Sequence, residues 1–147
     1  MKLILAALLL LMQTAASAHP LPVTSDFGWR LHPVTGDYRF HSGVDLGYEE
    51  GTTVPALFDG ISVIAGDMSD GYGYQVLLYH QATDTYTRYA HLSAVYTTAG
   101  ENVHAGQVIG TVGSTGRSTG PHLHLEYIAR SPSTGLYEYY NPVLLWE

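Results

Sequence analysis

The hydrophobic pattern along most of the chain is that of short β-strands. Short runs rich in β-branched and aromatic residues are separated by Gly, Asp, Ser and Thr, as is typical of strands joined by turns. No window of helical length keeps its apolar residues on a 3.6-residue period. The strand-like runs are residues 54–57, 60–65, 74–79, 86–90, 107–112 and 122–128.

Turn signals between these runs support the same interpretation. Asp59-Gly60 and Asp70-Gly71 are turn dipeptides, and residues 80–85 have the pattern of a hairpin loop. We therefore predict an all-β domain of antiparallel strands with long loops and little helix. No internal repeat, linker or low-complexity segment interrupts it, and 147 residues are too few for two ordinary domains.

The first eighteen residues have the pattern of a secretory signal peptide. Lys2 supplies a positive charge, and residues 3–12 form an apolar run that is too short to span a bilayer. Ala16 and Ala18 place small residues at the positions that signal peptidase recognises. We expect residues 19–147 to form a single exported domain, periplasmic or extracellular. The alternative is a retained membrane anchor.

Charge and cysteine content exclude several classes of protein. Six basic and thirteen acidic residues give a formal charge of −7, and loss of Lys2 leaves five against thirteen, or −8. The basic residues are scattered, which argues against a nucleic-acid partner. The chain has no cysteine, so disulfide scaffolds and cysteine-based zinc sites are excluded. Any metal must be held by His, Asp or Glu.

Two histidines in the last strand-like run are placed to serve one site. His122 and His124 are two residues apart, and strand side chains at that spacing project from the same face. Taken alone the pair is a weak signal, because two surface histidines on a solvated strand face have the same pattern.

A second unit has the form His-x-x-x-Asp. His41 and Asp45 lie in residues 40–47, where Gly43 and Gly47 argue against a helix. A bend there would let an imidazole and a carboxylate converge, and both are good zinc ligands. Alone, this unit also fits an ordinary turn carboxylate.

The two units together predict a catalytic metal site. Two histidines and one carboxylate supply three protein ligands, which leaves the fourth zinc position open to water. Zinc lowers the pKa of bound water to about 7 and polarises a carbonyl group. A base and an oxyanion donor are then needed, and His91 and His122 are available for these tasks.

The motifs occur in the order found in the lysostaphin/LytM-type zinc endopeptidases that cut peptidoglycan, and the chain resembles that family from about residue 27 to residue 127. The resemblance implies a β-sheet groove walled by loops, with zinc held by His41, Asp45 and His124. It places the remaining two family histidines at His91 and His122. The matching segments are FGWRLHP (27–33), FHSGVDL (40–46), YAHLS (89–93), GQVIG (106–110) and GSTGRSTGPHLH (113–124).

The resemblance implies a secreted metalloprotease with one Zn²⁺ per chain that hydrolyses amide bonds in peptidoglycan stem or cross-bridge peptides. All five family positions are filled. One alternative is a non-catalytic wall-binding or activator module of the same fold, and another is a zinc-dependent wall amidase. Peptidoglycan is the expected partner, with no nucleic acid and no membrane span after signal cleavage.

Other polar residues near the motifs have simpler interpretations. His32 either lines the groove or belongs to a turn beside a proline. His80 and His104 are expected to be exposed loop residues. Glu126 falls on the same strand face as His124, and we expect it to have a structural or supporting role near the metal.

The signal-peptide pattern predicts cleavage between Ala18 and His19. N-terminal sequencing of the exported protein should therefore begin at His19. A full-length product that stays in the membrane would contradict this prediction.

Overall fold

The computed structural model describes residues 21–32 and 34–147, so the predicted signal peptide and its cleavage site lie outside the described residues. Within those ranges the chain forms twelve strands and one short 3-10 helix, and none of its helices has the length and hydrophobicity needed to cross a bilayer. The elements are β1 (Val23–Ser25), β2 (Gly28–Leu31), β3 (Tyr38–His41), β4 (Val44–Leu46), β5 (Thr53–Pro55), β6 (Gly60–Asp67), β7 (Tyr74–His80), β8 (Thr85–Val95), β9 (Asn102–Val103), β10 (Val108–Val112), β11 (Leu123–Arg130), β12 (Tyr137–Tyr140) and the 3-10 helix η1 (Pro142–Trp146).

Ten of these strands form one antiparallel sheet. Its main path runs β1-β4-β11-β8-β7-β6-β9, with β10 joining β8 to β5 and with β12 on β11. Strands β2 and β3 form a separate hairpin. The predicted all-β antiparallel class with little helix is confirmed.

Strand β8 holds the sheet together because it pairs with three neighbours. Its first half lies between β7 and β11, and its second half pairs with β10. Its eleven residues are twice the usual strand length. Strand β8 therefore joins β11 to β7 and β10 within one sheet.

Alternation along β4 and β11 separates the core from the opposite face. Val44, Leu46, Leu123 and Leu125 belong to the buried core cluster. Burial of each such side chain contributes about 1.5–3 kcal/mol. The residues between them point away from the core, so polar side chains on these two strands collect on the other face.

The six strand-like runs of the sequence correspond to β5, β6, β7, β8, β10 and β11, and the predicted hairpin loop joins β7 to β8. Strands β1 to β4, β9 and β12 were not predicted. Each has only two to four residues, too few to show a period of two against the surrounding loops.

The expectation that His80 is an exposed loop residue is wrong. His80 ends β7 with 1% of its surface exposed. Its Nδ1 lies 2.9 Å from the carbonyl oxygen of Asp59, and its Nε2 lies 2.8 Å from the Thr87 hydroxyl. Burial lowers the pKa of His80, so the ring is neutral and structural. His104 is exposed, as expected.

Candidate active site

A groove of about 900 Å³ crosses the face of β4 and β11 that is turned away from the core. Its walls are formed by the β2–β3 hairpin, by residues 70–72 and by the loop at residues 116–121. This arrangement confirms the predicted groove between loops. All five histidine and aspartate positions named from the sequence line it: His41, Asp45, His91, His122 and His124.

Strand pairing brings three of these residues together. Asp45 in β4 and His124 in β11 are directly opposite each other in the antiparallel ladder, and His41 ends β3 just before the turn into β4. Gly43 in that turn is required, because a Cβ there would lie 2.2 Å from the carbonyl oxygen of Leu125. The close backbone approach places His41 beside the other two side chains.

The three ligand atoms form a triangle of the size that a tetrahedral ion requires. His41 Nε2 lies 3.2 Å from His124 Nδ1 and 3.2 Å from Asp45 Oδ1, and His124 Nδ1 lies 2.9 Å from Asp45 Oδ1. Tetrahedral zinc with bonds of 2.0–2.1 Å separates its ligands by about 3.3 Å. These residues alone therefore supply one face of a tetrahedral site.

Hydrogen bonds on the far side of each ring set the tautomers of the two imidazoles. His41 Nδ1 donates to the carbonyl oxygen of Asp26 at 2.7 Å, and His124 Nε2 donates to Glu126 Oε1 at 3.0 Å. In the neutral rings, the nitrogens that face Asp45 then carry lone pairs. Three acceptors facing one another repel unless a cation lies among them, so the donor set fits a metal ion.

Asp45 is ionised in this environment. Burial raises the pKa of Asp45, but contacts with the imidazoles of His124 and His41 outweigh burial and hold it well below its usual range. The carboxylate supplies the one negative charge among the three ligand atoms. At neutral pH it is therefore available to a cation as an anionic ligand.

His91 and His122 lie beside this triangle and face the same groove. Their ring centroids are 4.9 Å apart, and His91 lies 5.8 Å from His124. Each Nδ1 is 2.8 Å from a backbone carbonyl oxygen, of Thr115 for His91 and of Gly120 for His122. In the neutral rings each Nε2 atom then carries the lone pair. The Nε2 atom of His122 lies 3.6 Å from Asp45 Oδ1.

The backbone at His91 adopts a conformation that is rare for this residue. Its φ is +61°, in the left-handed region that costs about 1 kcal/mol or more outside glycine. The pairing of β8 with β7 shifts at the same place, so that Ala90 and His91 together face Gln75. This bulge turns the imidazole into the groove, as bulges do at many functional sites.

A buried carboxylate supports the His124 imidazole from below. Glu126 is 0% exposed, and its Oε1 accepts hydrogen bonds from His124 Nε2 at 3.0 Å, from Ser42 Oγ at 2.6 Å and from Tyr72 OH at 2.6 Å. Arg88 Nη1 lies 3.1 Å from its other oxygen. The network clamps the His124 ring in one orientation.

Glu126 is ionised within this network. Burial raises the pKa of Glu126, but the hydrogen bonds from His124, Ser42 and Tyr72 outweigh burial and lower it. Burial raises the pKa of the Tyr72 hydroxyl, and the Glu126 charge raises it further, so Tyr72 stays protonated and donates. The guanidinium of Arg88 stacks over the Tyr72 ring at 4.3 Å.

Sequence reasoning named Glu126 but missed its partners. Tyr72, Arg88 and Ser42 are far from Glu126 along the chain, and Ser42 is a small polar residue next to Gly43 in the turn between β3 and β4. Only the pairing of β11 with β8 brings Arg88 opposite Glu126. His32 lines the groove and also accepts, at Nδ1, from the backbone nitrogens of two following residues, so both of its expected roles occur together.

Comparison with known proteins identifies a matching family. The model of peptidase family M23 matches residues 39–135, a stretch that includes both histidines beside the triangle and all three of its ligands.

Two curated relatives and one solved structure show how far the similarity extends. The DD-carboxypeptidase/endopeptidase Mpg of Neisseria meningitidis is 49% identical over 104 residues, which are 71% of this chain and 24% of the relative. The peptidoglycan DD-endopeptidase ShyC of Vibrio cholerae is 44% identical over 108 residues, 72% of this chain and 24% of the relative. The chain thus spans about a quarter of the length of these curated relatives.

The solved structure is the catalytic domain of lysostaphin from Staphylococcus simulans, described as an antimicrobial peptidase. It superposes with a TM-score of 0.69 and 34% identity, covering 83% of this chain and 88% of that domain. The similarity therefore includes nearly the whole of one catalytic domain.

The Glu126 network predicts that metal affinity depends on this carboxylate. Glu126→Gln keeps the side-chain shape but removes the charge that holds His124, so zinc affinity should fall about 10- to 100-fold. Competition with a fluorescent chelator measures the affinity.

Glu101→Gln is the matched control, because Glu101 also accepts three hydrogen bonds, from Thr97, Thr98 and Gln107, and does not line the groove. Its zinc affinity should be unchanged. Wild-type affinity in a folded Glu126→Gln protein would show that the network does not support the metal.

Proposed function

The chain belongs to peptidase family M23, and from this premise we propose that it is an exported, zinc-dependent endopeptidase that hydrolyses amide bonds in the peptides of bacterial peptidoglycan. The family membership confirms the resemblance drawn from the sequence motifs. The names of the relatives Mpg and ShyC support a wall-peptide substrate.

One observation carries the proposal. Three metal-ligand atoms lie 2.9 to 3.2 Å apart on the floor of an open groove, and two further imidazoles present Nε2 beside them. A structural metal site would have four protein ligands and no open side. Here two oriented proton carriers adjoin the open side, as hydrolysis requires.

His41, Asp45 and His124 would hold one zinc ion per chain. The donor set supports zinc over magnesium or calcium, since two imidazole nitrogens suit zinc and the harder ions prefer oxygen. Bound zinc would supply Lewis-acid polarisation of the scissile carbonyl and would acidify water. The remaining chemistry belongs to the side chains around it.

His91 and His122 would move the protons. Each ring donates from Nδ1 to a backbone carbonyl, so each holds its lone pair at Nε2 towards the groove. One Nε2 accepts the proton of the attacking water, and the other, once protonated, donates to the oxyanion or to the leaving amine. Burial lowers the pKa of His91, which keeps that ring in the neutral, accepting form.

The arrangement of carboxylates argues against glycoside cleavage, which usually needs two acids facing the substrate. Asp45 is one of the three proposed metal ligands. Glu126 is buried beneath His124, with Oε1 hydrogen-bonded to that ring and Oε2 3.1 Å from Arg88 Nη1. Asp70 also lines the groove, but its carboxylate is held by Gln75 and by the backbone of Tyr72. No pair of free carboxyl groups is present among the described groove residues.

The two alternatives differ from the proposal in measurable ways. An activator or binding module would not need His91 in a rare backbone conformation beside a second oriented imidazole. A wall amidase would use the same site but would release the sugar from the whole peptide. The products of digestion therefore decide between an endopeptidase and an amidase.

Zinc binding and turnover should separate among the site histidines. His124→Ala should lose most of the metal, because two ligands seldom hold zinc against buffer. His91→Ala and His122→Ala should keep zinc but lose about 10²-fold or more in rate, the scale of general acid–base help. Metal analysis and single-turnover rates test both statements.

His104→Ala is the matched control, since His104 is exposed and lies outside the groove; it should change neither zinc content nor rate. If His91→Ala or His122→Ala loses zinc together with activity, that histidine is a metal ligand. Full zinc content and rate in His124→Ala would show that the proposed ligand set is wrong.

Digestion of purified peptidoglycan tests the reaction itself. The mature protein should release new amino groups without new reducing sugar ends, because an amide and not a glycosidic bond is cut. Mass spectrometry of the products should show peptides still attached to sugar. Release of reducing ends, or activity that resists a zinc chelator, would contradict the proposal.

A further inference from the structure

The charged side chains of the domain are distributed unevenly between its surface and its groove. Five arginines are present, and three of them pair with carboxylates: Arg39 with Asp37, Arg88 with Glu126, and Arg130 with Asp84. Within residues 21–32 and 34–147, the guanidinium groups of Arg30 and Arg117 form no ion pair and no hydrogen bond. Both of these arginines line the groove.

This placement is unusual in an acidic protein. Thirteen acidic residues outnumber six basic ones, yet neither of these two arginines has a carboxylate partner within residues 21–32 and 34–147. Arg30 and Arg117 come from different walls, one on β2 and the other on the loop before β11. Two arginines without partners in one groove indicate that the groove is built to receive anions.

Arg30 also stands where its charge is unfavourable in the protein alone. It is directly opposite Arg39 in the β2–β3 ladder, and like charges in that position destabilise a hairpin. Asp37 neutralises Arg39 at 3.0 Å, but no carboxylate of the described part of the chain pairs with Arg30. An anion bound in the groove beside Arg30 would reduce the repulsion between Arg30 and Arg39.

Carboxylates of the groove itself do not provide that anion. Asp45 belongs to the metal triangle. Both oxygens of Asp70 accept from Gln75 Nε2, at 3.0 and 2.8 Å, and one accepts from the backbone nitrogen of Tyr72. Arg117 approaches this region through its backbone, which donates to the carbonyl oxygen of Gly71 at 2.8 Å, but its guanidinium makes no ion pair with Asp70.

We propose that Arg30 and Arg117 are specificity-determining residues that bind free carboxylate groups of the substrate peptide on either side of the scissile amide. The planar guanidinium fork matches a carboxylate with two parallel hydrogen bonds. This inference rests on the proposed function, and it specifies which wall peptides the site would cleave. Stem peptides and direct cross-links that carry free carboxylates fit the groove, whereas a glycine bridge offers no side-chain carboxylate.

The two arginines should not contribute equally. Arg30 is partly buried on a strand, whereas Arg117 is exposed on a loop. A charge-assisted hydrogen bond is stronger where water is partly excluded, and an exposed ion pair contributes little. Arg30 is therefore the main carboxylate-binding residue, and Arg117 assists it.

The test compares two forms of one substrate. The first is a purified cross-linked muropeptide dimer with its carboxylates free, and the second is the same dimer with those groups converted to carboxamides by carbodiimide and ammonia. Wild-type protein should cleave the free acid about 10-fold or more faster in kcat/KM than the carboxamide, and it should cleave poorly a pentaglycine whose terminal carboxylate is blocked as an amide. Added salt should reduce the difference between the two dimers.

Substitutions locate the effect. Arg30→Gln should lose about 10- to 100-fold in kcat/KM on the free acid, the scale of one charged hydrogen bond, with little change on the carboxamide. Arg117→Gln should show the same pattern with a smaller loss. Arg130→Gln, whose partner is Asp84 and which does not line the groove, is the matched control and should behave as wild type on both dimers.

Each other outcome has a definite meaning. Equal cleavage of the two dimers by the wild type, or efficient cleavage of the blocked pentaglycine, overturns the inference and leaves the proposed function intact. Equal loss on both dimers in Arg30→Gln shows a structural role and also overturns it. If Arg30→Gln does not fold, the wild-type comparison and its salt dependence still decide. Failure of the wild type to cut any of the three substrates contradicts the proposed function itself.

Discussion

The pairing register of β4 with β11 is the constraint on which the rest of the site depends. It places Asp45 opposite His124 on one face of the sheet and two core leucines, Leu46 and Leu123, opposite each other on the other face. Because strand side chains alternate with a period of two, a slip of one residue would bury the ligands and expose the leucines. The packing of the core leucines therefore favours the same register that brings Asp45 beside His124.

Orientation of the imidazoles is the second requirement, and the loops meet it with backbone groups. Three of the four groove histidines near the triangle donate from Nδ1 to a carbonyl oxygen, of Asp26, Thr115 or Gly120. A carbonyl can only accept, so it selects one tautomer and keeps the other nitrogen free. The loops beside the groove therefore also set the tautomers of these imidazoles.

His124 is the exception, because a charged group orients it. Glu126 accepts from its Nε2 and is itself balanced by Arg88. A buried ion pair gives little net stability, since removing both charges from water costs about as much as their attraction returns. The position of Glu126 beneath the groove is better explained by the negative charge that it brings to the His124 imidazole, which faces Asp45 and His41. Within residues 21–32 and 34–147, Arg30 and Arg117 by contrast have no carboxylate partner, and both line the groove.

Local pattern and motifs in a fixed order were enough to predict the fold class, the family and five polar residues that line one groove. Alternation in the long runs indicated strands, and the His-x-His spacing indicated one face. The sequence did not indicate the shortest strands, the burial of His80, the bulge at His91 or the partners of Glu126. These features depend on contacts between segments far apart in the chain, such as β8 against β11 and Asp59 against His80. Which polar groups find partners, and which arginines remain without one, is decided only when the sheet has formed.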